Sequence, residues 1–433
     1  MPITLRSTTP ETRLAGLVIT FTGLCCFLPI LPLAALVFDD AGLGVSQISS
    51  LFVLASLSVL VLEIPSGAWA DTWSRRALLV LAALLAAAGF ALWACLPSYP
   101  SFAAGFVLLG AHGALRSGSL EALVYEELDR SGSADRYAAL MGRAAAVGTV
   151  TTGLAIAVAA PVLAWGGFRA VGAISVVACL LAALVAARLP ENRAVGESRG
   201  AGDRTSDRVS ARFRAYVAVL RDGAAQVRGN GRLRLVLLLV PAVGILWHIL
   251  DEYVPLLAAA GGVARHRIPL VLLLLYVGVT VGGLLGGVAS RSAARSQALV
   301  LAGAATVLAG GAVLAGEAGV PAGFLGVALA FAGFQAVSIA VDARLQDAVE
   351  GAARATVTSL AGFGRELVAL GSYALYAAGS AVLSHGRLFA ALALLYLPVA
   401  ALLAVAGRDR AVASAGDDAP LPPRNAQKVA SRH

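Results

Sequence analysis

Twelve apolar runs, near residues 14–37, 46–69, 77–96, 102–125, 140–164, 168–188, 233–258, 268–289, 297–315, 321–341, 357–380 and 386–406, set the terms for this chain. A helix needs roughly 20 apolar residues to cross a bilayer. Inside hydrocarbon there is no water to satisfy a bare backbone, so the chain must be helical there. Six runs precede one long polar stretch and six follow it. The expected fold is therefore all-α and polytopic. It comprises an N-terminal six-helix bundle over residues 1–188, a cytoplasmic linker over 189–232, a C-terminal six-helix bundle over 233–407 and a disordered tail over 408–433. The first run is too long for a secretory leader and no small-residue cleavage site follows it, so it reads as the first span.

Composition agrees. Charged residues make up 13% of the chain and mean hydropathy is +0.82, against about 25% charged in soluble domains. A net charge of +8 raises nucleic-acid binding as an alternative, and its placement removes it. Arginine supplies 32 of the 33 basic residues, with Lys428 the exception. Arg6, Arg13, Arg75, Arg76, Arg130, Arg136, the linker arginines, Arg291, Arg295, Arg344, Arg354, Arg408 and Arg410 fall on one side of the expected spans. Only Arg169, Arg265, Arg267 and Arg387 fall on the other. Basic loops stay in the cytoplasm, which places both termini there and the chain in the cell membrane. Within the linker, GESRGAGDRTSDRVS reads as disordered, and ARFRAYVAVLRDGAAQVRG as an amphipathic helix on the inner surface.

Cys25, Cys26, Cys95 and Cys179 lie in or beside apolar runs without metal or disulfide spacing, and read as packing residues. No P-loop pattern occurs. The expectation is a chain with no cofactor, no metal and no enzymatic activity, whose partners are the bilayer, a small molecule and protons; nothing in the sequence indicates an oligomer.

The break after the second run reads LEIPSGAWADTWSRRALL. Gly67 lets helices approach closely. Asp71 is placed to accept hydrogen bonds at a neighbouring helix N-terminus, and Arg75 and Arg76 pin the loop to the anionic leaflet. Gly67, Trp69, Asp71, Ser74, Arg75 and Arg76 resemble the signature that the major facilitator superfamily carries in this loop. Trp69, Thr72 and Ser74 depart from its usual Leu, Arg and Gly. The loop after span 8, GGVASRSAAR, is a weaker echo, with Gly286 in the place of Gly67 and Ser290 in the place of the acid. The resemblance implies twelve spans in two six-helix bundles, a monomer, transport by alternating access, and a conformational latch formed by Gly67, Asp71, Arg75 and Arg76.

Ionisable residues at membrane depth are costly and mark function by default. Span 4 carries His112, Arg116 and Ser119 at i, i+4 and i+7, then Glu121, with Glu126 and Glu127 at its cytoplasmic end reading as solvated. Span 7 carries Trp247, His248, Asp251 and Glu252. The superfamily lines its central cavity with spans 1, 4, 7 and 10. By that resemblance His112, Arg116, His248, Asp251, Glu252 and Gln335 are cavity candidates, with Phe21, Phe27, Trp247, Tyr253 and Phe334 within reach. Pro255 is expected to break span 7 near the outer surface. Glu63, Asp71, Glu121 and Arg143 also fit an inner structural ion-pair cluster, and Arg365 with Glu366 a structural pair. A carboxylate in a dry cavity can have its pKa raised by as much as ~3–5 units, so Glu121, Asp251 or Glu252 is the expected proton carrier. The expected activity is proton-coupled export of an amphipathic or lipophilic compound, as in a multidrug-resistance antiporter. Proton-coupled uptake of a small metabolite is the alternative, and a membrane-embedded sensor or enzyme the reading from another class. The span-5 Gly-Pro motif of drug:proton antiporters is absent, since Pro161 is the only proline there.

Overall fold

A computed structural model describes residues 10–192, 231–348 and 353–405, whose regular structure is entirely helical. In the first half these are α1 (Pro10–Cys26), α2 (Ala34–Asp40), α3 (Val45–Thr72), α4 (Arg75–Cys95), α5 (Tyr99–Arg130) and α6 (Tyr137–Ala186). In the second they are α7 (Gly231–Ala260), α8 (Ile268–Arg291), α9 (Ala294–Ala318), α10 (Pro321–Ala348), α11 (Ala353–Gly379) and α12 (His385–Ala393), the last extended by further helix to residue 405. The tail, and the linker over 193–230, lie outside the described residues, as do the side chains of Glu63 and Asp71, whose backbone, with that of Gly67, belongs to α3.

Length explains α6. Its 50 residues would reach about 75 Å at 1.5 Å each, more than twice the hydrocarbon thickness. The chain turns back at Gly167, whose φ of 63° departs from helical geometry, so α6 makes two crossings. Among the described residues nine segments are long and apolar enough to span, α6 counting once. α5 and α11 fall outside that set, and they are the helices that carry Arg116 and Glu121, and Arg365 and Glu366.

The same device ends span 1 and span 7. After α2, Gly42 takes a φ of 83° and Leu43 N–H donates to Phe38 O (3.1 Å); after α7, Gly262 takes a φ of 77° and Val263 N–H donates to Ala258 O (3.0 Å). This left-handed glycine with a six-to-one hydrogen bond satisfies carbonyls that a helix end leaves bare. Its occurrence at matching places is a trace of an internal repeat. Between these ends, α7 runs unbroken through Pro241 and Pro255. The expected break at Pro255 is therefore not made, and the helix reaches Ala260 on the packing that surrounds it.

Aromatic rings fill each half. Phe38 is fully buried against Trp93, Phe102 and Phe106, while Phe334 stacks on Tyr396 at 4.3 Å. Where α8 meets α10, bulk is excluded: a Cβ on Gly282 would lie 2.2 Å from Ala332 O. Lipid tails supply no hydrophobic drive to helix association, so close van der Waals approach has to. Gly282→Ala is expected to lower the stability of the detergent-solubilised protein by about 1–3 kcal/mol. Gly283→Ala, at a position with nothing within 4 Å, is expected to leave it unchanged or slightly raised. Thermal unfolding of the two variants side by side checks this, and equal midpoints would refute the packing account.

Candidate functional site

α7 is the most enclosed of the apolar segments, 61% buried against 28% for α8. Yet His248, Asp251 and Glu252 on it are accessible. They stand at i, i+3 and i+4 and share one face. An acid facing lipid at mid-membrane costs on the order of 3 kcal/mol, so accessible acids on an enclosed helix face space inside the protein. Glu252 locates that space. Its Oε2 accepts a hydrogen bond from Tyr373 Oη of α11 at 2.9 Å, and the Tyr373 ring stacks on Phe52 of α3 with centroids 5.6 Å apart. The polar stripe therefore looks onto the seam between the two halves.

The contacts that join the halves gather toward the arginine-poor face. Ser49 Oγ and Tyr253 Oη share a buried hydrogen bond of 2.6 Å. Phe52 packs edge-on to Tyr253 at 5.5 Å; behind that contact, within the second half, Tyr253 stacks on Tyr376 at 3.6 Å and Tyr376 Oη pairs with His385 Nδ1 at 2.7 Å. Beyond this layer Arg265 pairs with Asp39 (3.6 Å) and Asp40. Those side chains are about half exposed, and such pairs contribute about 0–1 kcal/mol. Breaking the buried hydroxyl pair costs more, about 1–3 kcal/mol, because one group is left without a partner. Closure thus rests on the aromatic layer more than on the ion pairs. Deeper along the seam, Tyr276 Oη of α8 donates to Thr149 O of α6 at 2.6 Å.

The structure separates the residues singled out by sequence. His248, Asp251 and Glu252 come together on the stripe, and Gln335 is half-buried on α10. Trp247 does not line it: the ring is 1% exposed, lies against His248 at 3.9 Å and donates to Ser338 Oγ at 3.3 Å. Phe21 is fully buried in the first half beside Leu120 and Val124, and Tyr253 and Phe334 are likewise at 0% exposure. Large rings give most when they seal helix contacts, which withdraws them from a cavity wall. His112 turns to α4, where Nδ1 meets Ala82 O at 2.9 Å. Arg116, one turn on, lies within electrostatic reach of Cys25 and Cys26 of α1, and its buried Nε has no partner. Glu121 and Arg143 are exposed, and no ion pair joins them among the described residues. Arg365 reaches Asp342 of α10 at 3.9 Å. Among the described residues no three His, Cys, Asp or Glu side chains converge on a metal-sized space.

Arg75 binds within its own half. Its Nη1 lies 2.5 Å from Glu126, whose side chain stays 44% exposed; of the two acids expected to be solvated, Glu127 is the one withdrawn, at 9%. Its N–H donates to Glu191 Oε1 at 2.7 Å, and Ser74 Oγ donates to Glu191 Oε2. Glu191 thereby caps the α4 N-terminus, where the helix dipole favours an anion. Sequence reasoning missed Glu191, Ser49, Phe52 and Tyr373. The Tyr373 and Tyr376 pair, one turn apart in an Ala- and Gly-rich span, was the available signal.

A family model for the Major Facilitator Superfamily matches residues 14–372. The chain belongs to that superfamily. Among solved structures it is similar to a mutant form of the nucleoside transporter NupG, with 14% identity, a TM-score of 0.70, and coverage of 92% of this chain and 99% of the other. It is also similar to the xylose transporter XylE from E. coli in a partially occluded inward-open conformation, with 15% identity, a TM-score of 0.60, and coverage of 94% and 99%. No curated protein matches the sequence significantly. As a superfamily member the chain is a multi-pass membrane protein and a secondary transporter.

If the aromatic layer holds the seam shut, Tyr253→Phe, which strands Ser49, shifts the equilibrium away from this closure by roughly 5- to 100-fold. Spin labels at Pro97→Cys and Val320→Cys, with the native cysteines replaced, are expected to show a larger long-distance population in the variant. An unchanged distance distribution would count against the layer as the closing element.

Proposed function

We propose that the chain is a proton-coupled transporter of a small amphipathic molecule bearing a positive charge, with the arginine-rich face cytoplasmic and the described state closed to the outside. The observation that carries this reading is the accessible stripe of His248, Asp251 and Glu252 on an otherwise enclosed helix, opening on the seam. Glu252 is the proposed proton carrier. The bond from Tyr373 gives it a fixed partner in the closed state. Asp251 supplies the negative charge that a cationic substrate needs, while Arg116 on the opposite half offers donors to a substrate oxygen. Protonation and substrate then compete for the same acidic pair, which is the logic of antiport and of export.

Uptake of a small polar metabolite is the second reading. It is favoured by the withdrawal of Phe21, Trp247, Tyr253 and Phe334 into the core, which leaves a more polar seam than the sequence implied, and by the fold likeness to a nucleoside and a xylose transporter.

Efflux of a lipophilic cationic dye from drug-hypersensitive cells tests the first reading. Wild-type efflux is expected to collapse with a protonophore. Glu252→Gln is expected to lower it by about tenfold or more, the scale of a lost hydrogen bond to a charged group at about 1.5–3 kcal/mol. Glu121→Gln is expected to act weakly. Surface-expressed protein without efflux, but with protonophore-sensitive uptake of a polar solute, would transfer the assignment to the second reading. Transport indifferent to the protonophore would remove proton coupling from both.

A further inference from the structure

The arginine-rich face of the first half holds a cavity of about 630 Å³, apart from the stripe on α7. Arg13, Arg76, Arg130 and Arg188 line it, brought together from the start of α1, the start of α4, the end of α5 and the exit of α6. Two acids, Glu11 and Glu127, also line it, and both are already engaged. Glu11 accepts from Arg136 Nη1 at 2.6 Å and from Ser133 Oγ at 2.5 Å. Glu127 accepts from Arg130 Nη1 at 2.5 Å and from the backbone and side-chain nitrogens of Asn192 at 2.9 and 3.0 Å. Arg13, Arg76 and Arg188 form no ion pair among the described residues. Three uncompensated guanidinium groups therefore converge on one space, with the buried side chains of Leu14 and Leu189 beneath them.

Topology alone asks that arginines lie on the cytoplasmic side. It does not ask that four helix ends bring them to the lining of one cavity with an apolar floor, nor that its two acids be taken up by Arg136 and Arg130 and leave the other three arginines without one. Like charges that line one space repel, and an anion there relieves them. Guanidinium is planar and forked, and matches phosphate oxygens two at a time. We propose that this cavity binds a phosphate-bearing anion at the inner membrane surface. The proposal rests on the orientation given above and is independent of the transported substrate. The phosphate comes either from the headgroup of an anionic lipid, whose glycerol end would meet Leu14 and Leu189, or from a dissolved phosphate ester.

The test is the thermal unfolding of delipidated full-length protein in detergent, titrated with phosphatidylglycerol, phosphatidylcholine or glycerol phosphate. A ligand that binds the folded state raises the midpoint with concentration. Phosphatidylglycerol is expected to raise it at lower concentration than phosphatidylcholine. Arg13→Gln with Arg188→Gln is expected to need roughly tenfold or more phosphatidylglycerol for the same rise, since each basic residue near the surface contributes about one kcal/mol. Arg291→Gln with Arg295→Gln, two exposed arginines on the same face of the other half, is expected to leave the titration unchanged. If the glutamine pair fails to fold, Arg13→Lys with Arg188→Lys keeps the charge and removes the fork, with an intermediate weakening expected. Protection by the lipid alone assigns the site to the leaflet, and equal protection by glycerol phosphate assigns it to a dissolved ester. Equal action of phosphatidylglycerol and phosphatidylcholine without protection by glycerol phosphate, or equal loss in the two glutamine pairs, would overturn the proposal.

Discussion

Hydrocarbon offers no hydrogen bonds, and most of this structure follows from that. Every backbone group at membrane depth must be satisfied within its own helix, so the chain can vary only in where helices turn, how closely they approach and where side-chain polarity is put. The turns are set by glycines such as Gly42, Gly167 and Gly262, and the approach by contacts such as that of Gly282 with Ala332. Among the described residues of α7, polarity goes to the face that looks onto the seam between the halves, away from lipid.

That seam divides its labour by depth. Exposed ion pairs between Arg265 and the Asp39–Asp40 pair stand at the rim, where water screens them and they form and break cheaply. Beneath them the rings of Phe52, Tyr253, Tyr373 and Tyr376 exclude water, and their hydroxyls are paired off against Ser49, Glu252 and His385. One of those partners is the acid proposed to carry the proton. The tyrosine that engages Glu252 is also the tyrosine that stacks on the other half, so the state of the acid and the closure of the seam share a side chain.

How much of this could be read in the sequence depended on period and burial. The all-helical polytopic fold, the turn between residues 164 and 168 and the stripe on span 7 were legible, because hydropathy and helical spacing encode them directly. The gate was not. Ser49 and Phe52 look like any packing residues of an apolar run, and only their pairing with Tyr253 and Tyr373, some 200 and 320 residues away, makes them a closing layer. Aromatic residues misled in the other direction. Phe21 and Trp247 sit on helices that the family resemblance assigns to the cavity, but a helix has several faces, and a large ring takes the face that buries it. His112 shared a helical face with Arg116, yet that face was met by a carbonyl of α4.

The hydrogen bond from Tyr276 to the carbonyl of Thr149 has an evolutionary consequence. Its acceptor belongs to the main chain, so no substitution at position 149 that keeps the helix removes it. The donor is pinned by its hydroxyl, while its partner is free to drift. A joint built this way between the two halves keeps its hold while one of its surfaces changes, and the record of that freedom would be a tyrosine facing a variable neighbour.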